Sequence, residues 1–385
     1  MKVRLNETTE LAPGTGLNFL VLSAHDFRSP RKANIHFISQ QLAKRGQVRF
    51  FSLRFSQLSR FTSDPRLALA ARANRIERHE QVDCYLWKTM IHPFNTRRRW
   101  LRVAETVMYQ WYRLTASPVL REWIRDADVI LFESGIAPLF FDLAKSLNPT
   151  ARTLYIASDD LDTIGVASFV KRAFQRAAPR FSQIRLPSAS LAHSIPSTEN
   201  LRLIPHGIDH RLAEGASPSP YGGGVHAVSV GSMLFDPLFF VEASRRFPDV
   251  HFHIIGCGQP AHPGYGSNVT VYGEMPHQET VNWIRHADIG IAPYQSEQVP
   301  AYLADTSMKL IQYDFLGVPA VCPTAVVGDY ASRFGYRPGD GDSIDAAVRK
   351  ALEAPRGPSR RHLDWSEVTD RLLVPERFED TEIRL

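Results

Sequence analysis

Cysteine is nearly absent, with Cys84, Cys257 and Cys322 the only three in 385 residues, widely spaced and in or beside strand-like runs. That excludes a disulfide framework and a CxxC metal site and leaves three reduced core residues. No apolar run approaches the roughly 18–20 residues that a spanning helix needs. The stretch from Met1 to Gly16 is polar and acid-containing, without the apolar segment of a signal peptide, so the chain is expected to stay in the cytoplasm. Acidic residues are scarce in the first third. Residues 1–120 hold 20 Lys+Arg against 8 Asp+Glu, a net +12 that leaves −7 for the remainder of a chain of net +5. Such a polycation points to nucleic acid, an anionic lipid surface or a pyrophosphate-bearing substrate. No recognised nucleic-acid motif accompanies the charge, which argues against the first. A complete dinucleotide fingerprint is also missing: Gly256 and Gly258 follow a strand-like run, but position 261 is Ala, so a nicotinamide enzyme is disfavoured.

What is present is an ordinary globular composition, 44% hydrophobic and 22% charged, in a chain too long for one core. Short apolar, β-branched runs recur between helical stretches. They are Leu17–Leu22, Val48–Leu53, Val82–Trp87, Val129–Phe132 and Thr153–Ala157, then Val225–Val230, Val250–Ile255, Val269–Tyr272, Ile289–Ala292 and Pro319–Cys322. That rhythm predicts a parallel α/β sheet twice over. The segment from Leu201 through a Gly/Pro/Ser-rich stretch to Gly224 separates the two sets. The expected organisation is a first domain over 1–205, a second over 206–360, and a helical segment over 361–385 that crosses back to the first.

In open α/β sheets, ligands bind beyond the carboxyl ends of the strands. In the second half, Met308-Lys-Leu-Ile-Gln-Tyr-Asp-Phe-Leu-Gly-Val-Pro319 puts Lys309 at the start of a helix stopped by Gly317 and Pro319. Unpaired N–H groups, a positive dipole end and an ammonium there suit a diphosphate. The bland alternative is an amphipathic helix with a solvated lysine. Val228-Ser-Val-Gly-Ser-Met233, Ile254-Ile-Gly-Cys-Gly258, Val271-Tyr-Gly-Glu-Met275 and Ala287-Asp-Ile-Gly-Ile-Ala-Pro-Tyr294 are strand-end segments, each alone more often a plain turn.

In the first half, Thr153-Leu-Tyr-Ile-Ala-Ser-Asp-Asp-Leu-Asp162 ends a strand with three carboxylates. Asp159, nearest the strand end, is the candidate base that takes the proton of an attacking hydroxyl. Helix capping near Thr163 is the competing role, and for Asp162 the favoured one. Asp160 and Asp162 also spell D-x-D, a metal-diphosphate motif of another fold. A metal is less necessary where Lys309 and a helix dipole neutralise the leaving group, so no metal and no cofactor is expected. The loop Ser23–Lys32 offers His25, Arg28, Arg31 and Lys32 to a sugar acid or an anionic acceptor, or only to solvent.

From Arg97, the positions Trp100, Val103, Ala104, Val107, Met108, Trp111 and Leu114 follow helical spacing, and Phe51 to Arg78 interleaves aromatics with arginines. Such surfaces bind lipid headgroups, or pack inward with solvated arginines outside.

The order of the strand-end motifs, Gly-Ser-Met, Ile-Gly-Cys-Gly, Gly-Glu-Met, Ala-Asp-Ile-Gly-Ile-Ala-Pro-Tyr and Lys with Gly-x-Pro, resembles the donor domain of GT-B glycosyltransferases. Pro205-His-Gly-Ile-Asp209 resembles their interdomain segment. From Ser23-Ala-His-Asp through Tyr-Ile-Ala-Ser-Asp-Asp to Ser-Met-Lys-Leu-Ile-Gln, the chain further resembles the membrane-associated glucuronosyltransferases of bacterial exopolysaccharide (xanthan) assembly. The resemblance implies two Rossmann-like domains facing a cleft, with inverting transfer of glucuronic acid from UDP-glucuronate to the mannose of a polyprenyl-diphosphate-linked trisaccharide in a β-1,2 linkage. It implies Asp159 as base and Met233, Glu274, Tyr294, Met308, Lys309 and Gln312 as the donor pocket, with His25 or Arg31 toward the sugar acid or the acceptor. Gln312 departs from the pattern, because many relatives carry a ribose-binding glutamate there; an amide still hydrogen-bonds a diol. The implied location is the cytoplasmic face of the inner membrane, bound peripherally. A GT-B-fold UDP-sugar isomerase and a non-catalytic basic membrane scaffold are the alternatives.

Overall fold

The computed structural model describes residues 16–29, 32–62, 64–196, 199–214, 217–295 and 299–382. They form two compact units, one running to Ile204 and resuming at Trp365, the other spanning Pro205–Asp364.

The first unit is built on a sheet in which β1 (Leu17–Ser23), β2 (Gly46–Ser56), β3 (Ile76–His79), β4 (Val82–Thr89), β5 (Val129–Glu133), β6 (Arg152–Ile156), β7 (Gln183–Leu186) and β8 (Leu201–Leu203) lie in the order β3-β4-β2-β1-β5-β6-β7-β8. Every pairing is parallel except β3 with β4. β1 and β5 are covered on both faces, which is why their sequences read as continuous apolar runs with no alternation. Helices α1 (Asn34–Ala43), α2 (Arg102–Leu114), α3 (Pro118–Asp126), α4 (Phe141–Leu147) and α5 (Ser168–Ala177) connect the strands.

The second unit has β9 (Val225–Val230), β10 (Val250–Ile255), β11 (Val269–Tyr272), β12 (Ile289–Ile291), β13 (Ala320–Pro323) and β14 (Arg333–Tyr336), all parallel, in the order β11-β10-β9-β12-β13-β14. Its helices are α6 (Pro237–Arg246), α7 (His277–His286), α8 (Leu303–Thr306), α9 (Met308–Phe315) and α10 (Gly341–Glu353). This is the dinucleotide-fold order, reversing direction between β9 and β12. Asp236 starts α6 by accepting from Leu238 N–H with Pro237 at the first position, and Asp340 caps α10 in the same way through Ser343 N–H. Gly317, at φ +67, ends α9, and the Val318 N–H bonds back to the Tyr313 carbonyl.

α11 (Trp365–Leu373) packs on the first unit. Trp365 stacks on Phe37 of α1 at 5.0 Å, Arg45 pairs with Asp370 at 2.8 Å, and the Arg152 guanidinium donates to the Leu373 carbonyl.

The ten strands expected from apolar runs are all present, with ends shifted by a few residues, and β3, β7, β8 and β14 add to them. Leu201–Leu203, expected in the linker, instead pairs with β7 as an edge strand.

Candidate functional site

In the first unit, strand order reverses between β1 and β5. Beyond their carboxyl ends lies a cavity of about 190 Å³, lined by His25, Arg54, Asn95, Glu133 and Asp159 on its polar side and by Tyr109, Ile164 and Val170 on the other. Polar groups facing an apolar wall are what a saccharide ring requires. Asp159 follows β6 and is half-buried, and its backbone N–H donates to Ser134 Oγ at 3.3 Å.

Glu133 ends β5 and escaped the sequence reading. It is buried, accepts from Ser23 Oγ and from Ser158 Oγ (3.4 Å), and stands 3.9 Å from His25 Nε2. Burial pushes its carboxyl above the ordinary range, opposed by His25 and Ser23 and reinforced by the nearby charge of Asp159. The signal available was a carboxylate closing an otherwise apolar run, Val-Ile-Leu-Phe-Glu133.

The neighbouring carboxylates are engaged locally. Asp160 Oδ2 accepts from the Thr163 N–H (2.8 Å) and hydroxyl (2.9 Å), while Asp162 pairs with Lys171. The capping role expected for Asp162 is thus corrected: the segment after Thr163 is a turn, and α5 starts only at Ser168, without a side-chain cap. The basic loop is corrected as well. Arg28 is buried between Asp26 (2.8 Å) and Glu77 (2.5 Å), and Lys32 Nζ donates to the Phe27 carbonyl at 2.8 Å. His25 remains half-exposed at the cavity, and Arg31 lies outside the described residues.

In the second unit, Met233, Glu274 and Tyr294 follow β9, β11 and β12, and Met308, Lys309 and Gln312 lie on α9. Gly231 (φ +79) turns the chain after β9 into Ser232 and Met233, the latter 47% exposed. Gly256, Gly258, Val271, Tyr272 and Glu274 line a second cavity, of about 400 Å³, beyond β10 and β11. Both glycines have positive φ, as a backbone that must turn beside a ligand demands.

At the start of α9, Lys309 is only 8% exposed, and its buried Nζ has no hydrogen-bond partner among the described residues. Its nearest support is the Tyr294 ring, 5.2 Å away. Burial lowers its pKa from 10.5 to about 8. An unpaired buried ammonium costs several kcal/mol, a burden expected where the missing partner is a ligand anion. Tyr294 differs from its expected place as a donor contact. It is fully buried, with its hydroxyl 2.7 Å from Ser307 Oγ, so it backs Lys309 instead of facing solvent. Met308 is half-buried, and Gln312 Nε2 is 2.9 Å from His277 Nε2 on α7.

The apolar stripe of α2 points outward. Trp100 just before it is 74% exposed, Val103 77%, and Val107, Trp111 and Leu114 are exposed too, whereas Glu105, Tyr109 and Tyr112 face inward. No helix among the described residues is long and apolar enough to cross a membrane.

Residues 21–187 match the family model described as glucuronosyltransferase GumK, N-terminal domain. A UDP-glucuronate:glycolipid 2-beta-glucuronosyltransferase of Xanthomonas campestris pv. campestris is 57% identical over 375 residues, covering 97% of this chain and 94% of that one. Among solved structures, a UDP-forming α,α-trehalose-phosphate synthase from Burkholderia xenovorans superposes with a TM-score of 0.62 at 12% identity, over 92% of this chain and 99% of that one. A Listeria monocytogenes protein assigned as a UDP-N-acetylglucosamine 2-epimerase gives 0.54 at 9% identity, over 96% and 100%. Likeness at such identity concerns the fold, which is GT-B, and the fold alone does not separate transferase from epimerase.

Proposed function

The chain belongs to the GumK family of glucuronosyltransferases, and on that premise we propose that it moves glucuronic acid from UDP-glucuronate to a hydroxyl of a lipid-linked saccharide with inversion. The acceptor is the mannose of a polyprenyl-diphosphate-linked trisaccharide, joined through a β-1,2 linkage for exopolysaccharide of the xanthan type. The 57% identical relative acts, by its name, on a glycolipid and forms a 2-beta bond, which supports this choice.

The observation that carries the chemical reading is the Lys309 ammonium, buried at the N-terminus of α9 and without an acceptor among the described residues. It and the first N–H groups of the helix receive the charge that develops on the departing diphosphate. That is the task a divalent cation performs elsewhere, so turnover proceeds in EDTA. In the step itself, the acceptor oxygen forms its bond to the anomeric carbon as the bond to the diphosphate oxygen breaks. The acceptor's proton passes to Asp159, and UDP leaves. Met233, Glu274, Met308 and Gln312 receive the nucleotide and sugar.

The outward apolar stripe of α2, with Arg97, Arg98 and Arg102 beside it, lies on an anionic bilayer at the cytoplasmic face and gives peripheral attachment. Nucleic acid has no part in this reading.

The test is incubation with UDP-glucuronate and a mannose-terminated lipid-linked acceptor in EDTA, with the product linkage read by NMR. A β-glucuronide with stoichiometric UDP is expected. Consumption of UDP-glucuronate without acceptor would make the protein an isomerase, and no consumption with any acceptor would leave a scaffold.

A further inference from the structure

Two arginines border the Asp159 cavity in backbone conformations that ordinary side chains avoid. Arg54 (φ +58) and Arg97 (φ +56) are two of five non-glycine residues with positive φ among those described. Such backbone costs roughly 1 kcal/mol per residue and persists where surrounding contacts over-determine it.

For Arg54, those contacts are explicit. β2 shifts register against β4 between Ser52 and Phe55, so the strand bulges at this point. The Arg54 N–H donates to the buried Tyr112 hydroxyl at 2.9 Å, and the buried Arg66 guanidinium donates to the carbonyls of Leu53 (2.7 Å) and Arg54 (2.8 Å). The bulge is held on both sides and turns the Arg54 side chain into the cavity lining. Arg97 is held by the Asn95 side chain, whose Oδ1 accepts from the Arg97 N–H and whose Nδ2 donates to the Gly165 carbonyl, both at 2.9 Å. Arg97 Nη2 sits 3.6 Å from where a β-carbon on Gly165 would lie, and Gly165 lines the cavity.

Among the described residues, neither guanidinium has an ion pair or a hydrogen-bond acceptor. This sets them apart from Arg28, Arg66, Arg72 and Arg78 of the same basic third, which are paired with carboxylates. Three residues beyond Arg97, Trp100 opens the exposed apolar stripe. Arg97 thus lies in sequence between residues that touch the sugar-sized cavity and residues suited to lipid. In a lipid-linked saccharide, the phosphate is the group that joins sugar to lipid.

We propose that Arg54 and Arg97 form a clamp for the phosphate or diphosphate of the acceptor, fixing the saccharide so that its reacting hydroxyl reaches Asp159. The clamp rests on the glycolipid-acceptor reading given above and adds its anchoring residues. Planar guanidinium forks match phosphate oxygens two at a time, and the locked bulge at Arg54 and the Asn95 hold on Arg97 fix both backbones before the ligand arrives.

The test uses the full-length chain with Arg54→Gly and Arg97→Asn, substitutions that suit left-handed backbone and therefore do not penalise folding, and Arg54→Lys as the charge-retaining variant. Direct binding of a diphosphate-linked lipid saccharide in detergent micelles, without donor, is compared with that of an alkyl glycoside carrying the same sugar and no phosphate. The preference for the diphosphate ligand should fall about tenfold or more in the Gly and Asn variants, the size of losing a charge-assisted contact, and recover in part in Arg54→Lys. An unchanged preference overturns the clamp. So does an effect confined to binding of glycan-free phosphatidylglycerol vesicles, which would assign the arginines to the bilayer. So does a changed preference between UDP-glucuronate and UDP-glucose, which would assign them to the donor's carboxylate. Because no turnover is required, a clamp that binds in a chain that fails to transfer would leave the clamp standing and the transferase reading refuted.

Discussion

Lys309 and Glu133 are both buried ionisable groups, and their opposite signs give opposite dependences on pH. Burial takes Lys309 from 10.5 to about 8, so between those values the unfolded chain binds more protons than the native one. Stability contributed by this site therefore rises with pH through that window, by up to about 3 kcal/mol. Lys309→Met removes the slope and raises stability at pH 7 by about 1–3 kcal/mol, because an unpaired ammonium no longer has to be buried. The same change lowers UDP affinity, read by calorimetry, by about 100-fold; a variant that is both less stable and fully able to bind UDP would contradict the role given to the lysine. Glu133, raised above 4.5 chiefly by burial, works the other way. Above pH 4.5 the native state holds the extra proton, and stability declines as pH climbs through the folded value. Glu133→Gln keeps the acceptor oxygen for Ser23 and Ser158 and abolishes that decline, which denaturant titration across pH 4–8 measures directly.

Helix α9 owes its position to Tyr313, fully buried, whose hydroxyl donates to the carbonyls of Val228 (3.3 Å) and Ile291 (3.2 Å). The ring lies against Gly290 so closely that a β-carbon there would stand 2.6 Å from it. Gly290→Ala should destabilise the second unit by about 1–3 kcal/mol and weaken UDP binding with it, since shifting Tyr313 shifts the helix that carries Lys309. Helix α2 presents the opposite case, an element whose apolar face has no packing partner among the described residues. Val103→Glu with Val107→Glu should leave thermal stability within about 0.5 kcal/mol, as for other surface changes, while reducing binding to anionic vesicles at least about tenfold. A large loss of stability would mean that the stripe is packed against protein. The helical period of α2 was legible from its sequence, but not which way it faced, because Tyr109, Tyr112 and Glu105 make a polar-looking inner face that only tertiary packing selects. Likewise β3, β7, β8 and β14 are short and carry charged or polar residues such as Glu77, Arg185 and Arg333, so they read as loops. Their strand character comes from pairing with neighbours already in the sheet.

Across the whole molecule, the two largely parallel sheets were readable because buried parallel strands leave apolar runs that no loop mimics, with Gly-Ser-Met and Gly-Glu following strands and Lys with Gly-x-Pro framing a helix. The place of Asp159 was readable for the same reason, as the first carboxylate after β6, and it lines the cavity there. Glu133 left only the faint signal of one carboxylate closing an apolar run, and the two left-handed arginines left none, since neither a bulge in β2 nor the turn at Arg97 has a sequence signature of its own. Tyr294 was expected as a donor contact, and its place as the buried support of Lys309 was not legible, because burial of a strand-end tyrosine is decided by what packs over it. The return of α11 to the first unit ties the chain's last described segment to the domain that carries Asp159. The central claim, that this residue takes the acceptor's proton, is tested most directly by acceptor-dependent UDP release from UDP-glucuronate in EDTA, comparing the wild type with Asp159→Asn. The expected result is a loss of about 10²–10⁴ in kcat in the variant with UDP affinity retained, the range for removing a general base; acceptor-dependent turnover equal to the wild type would contradict the assignment.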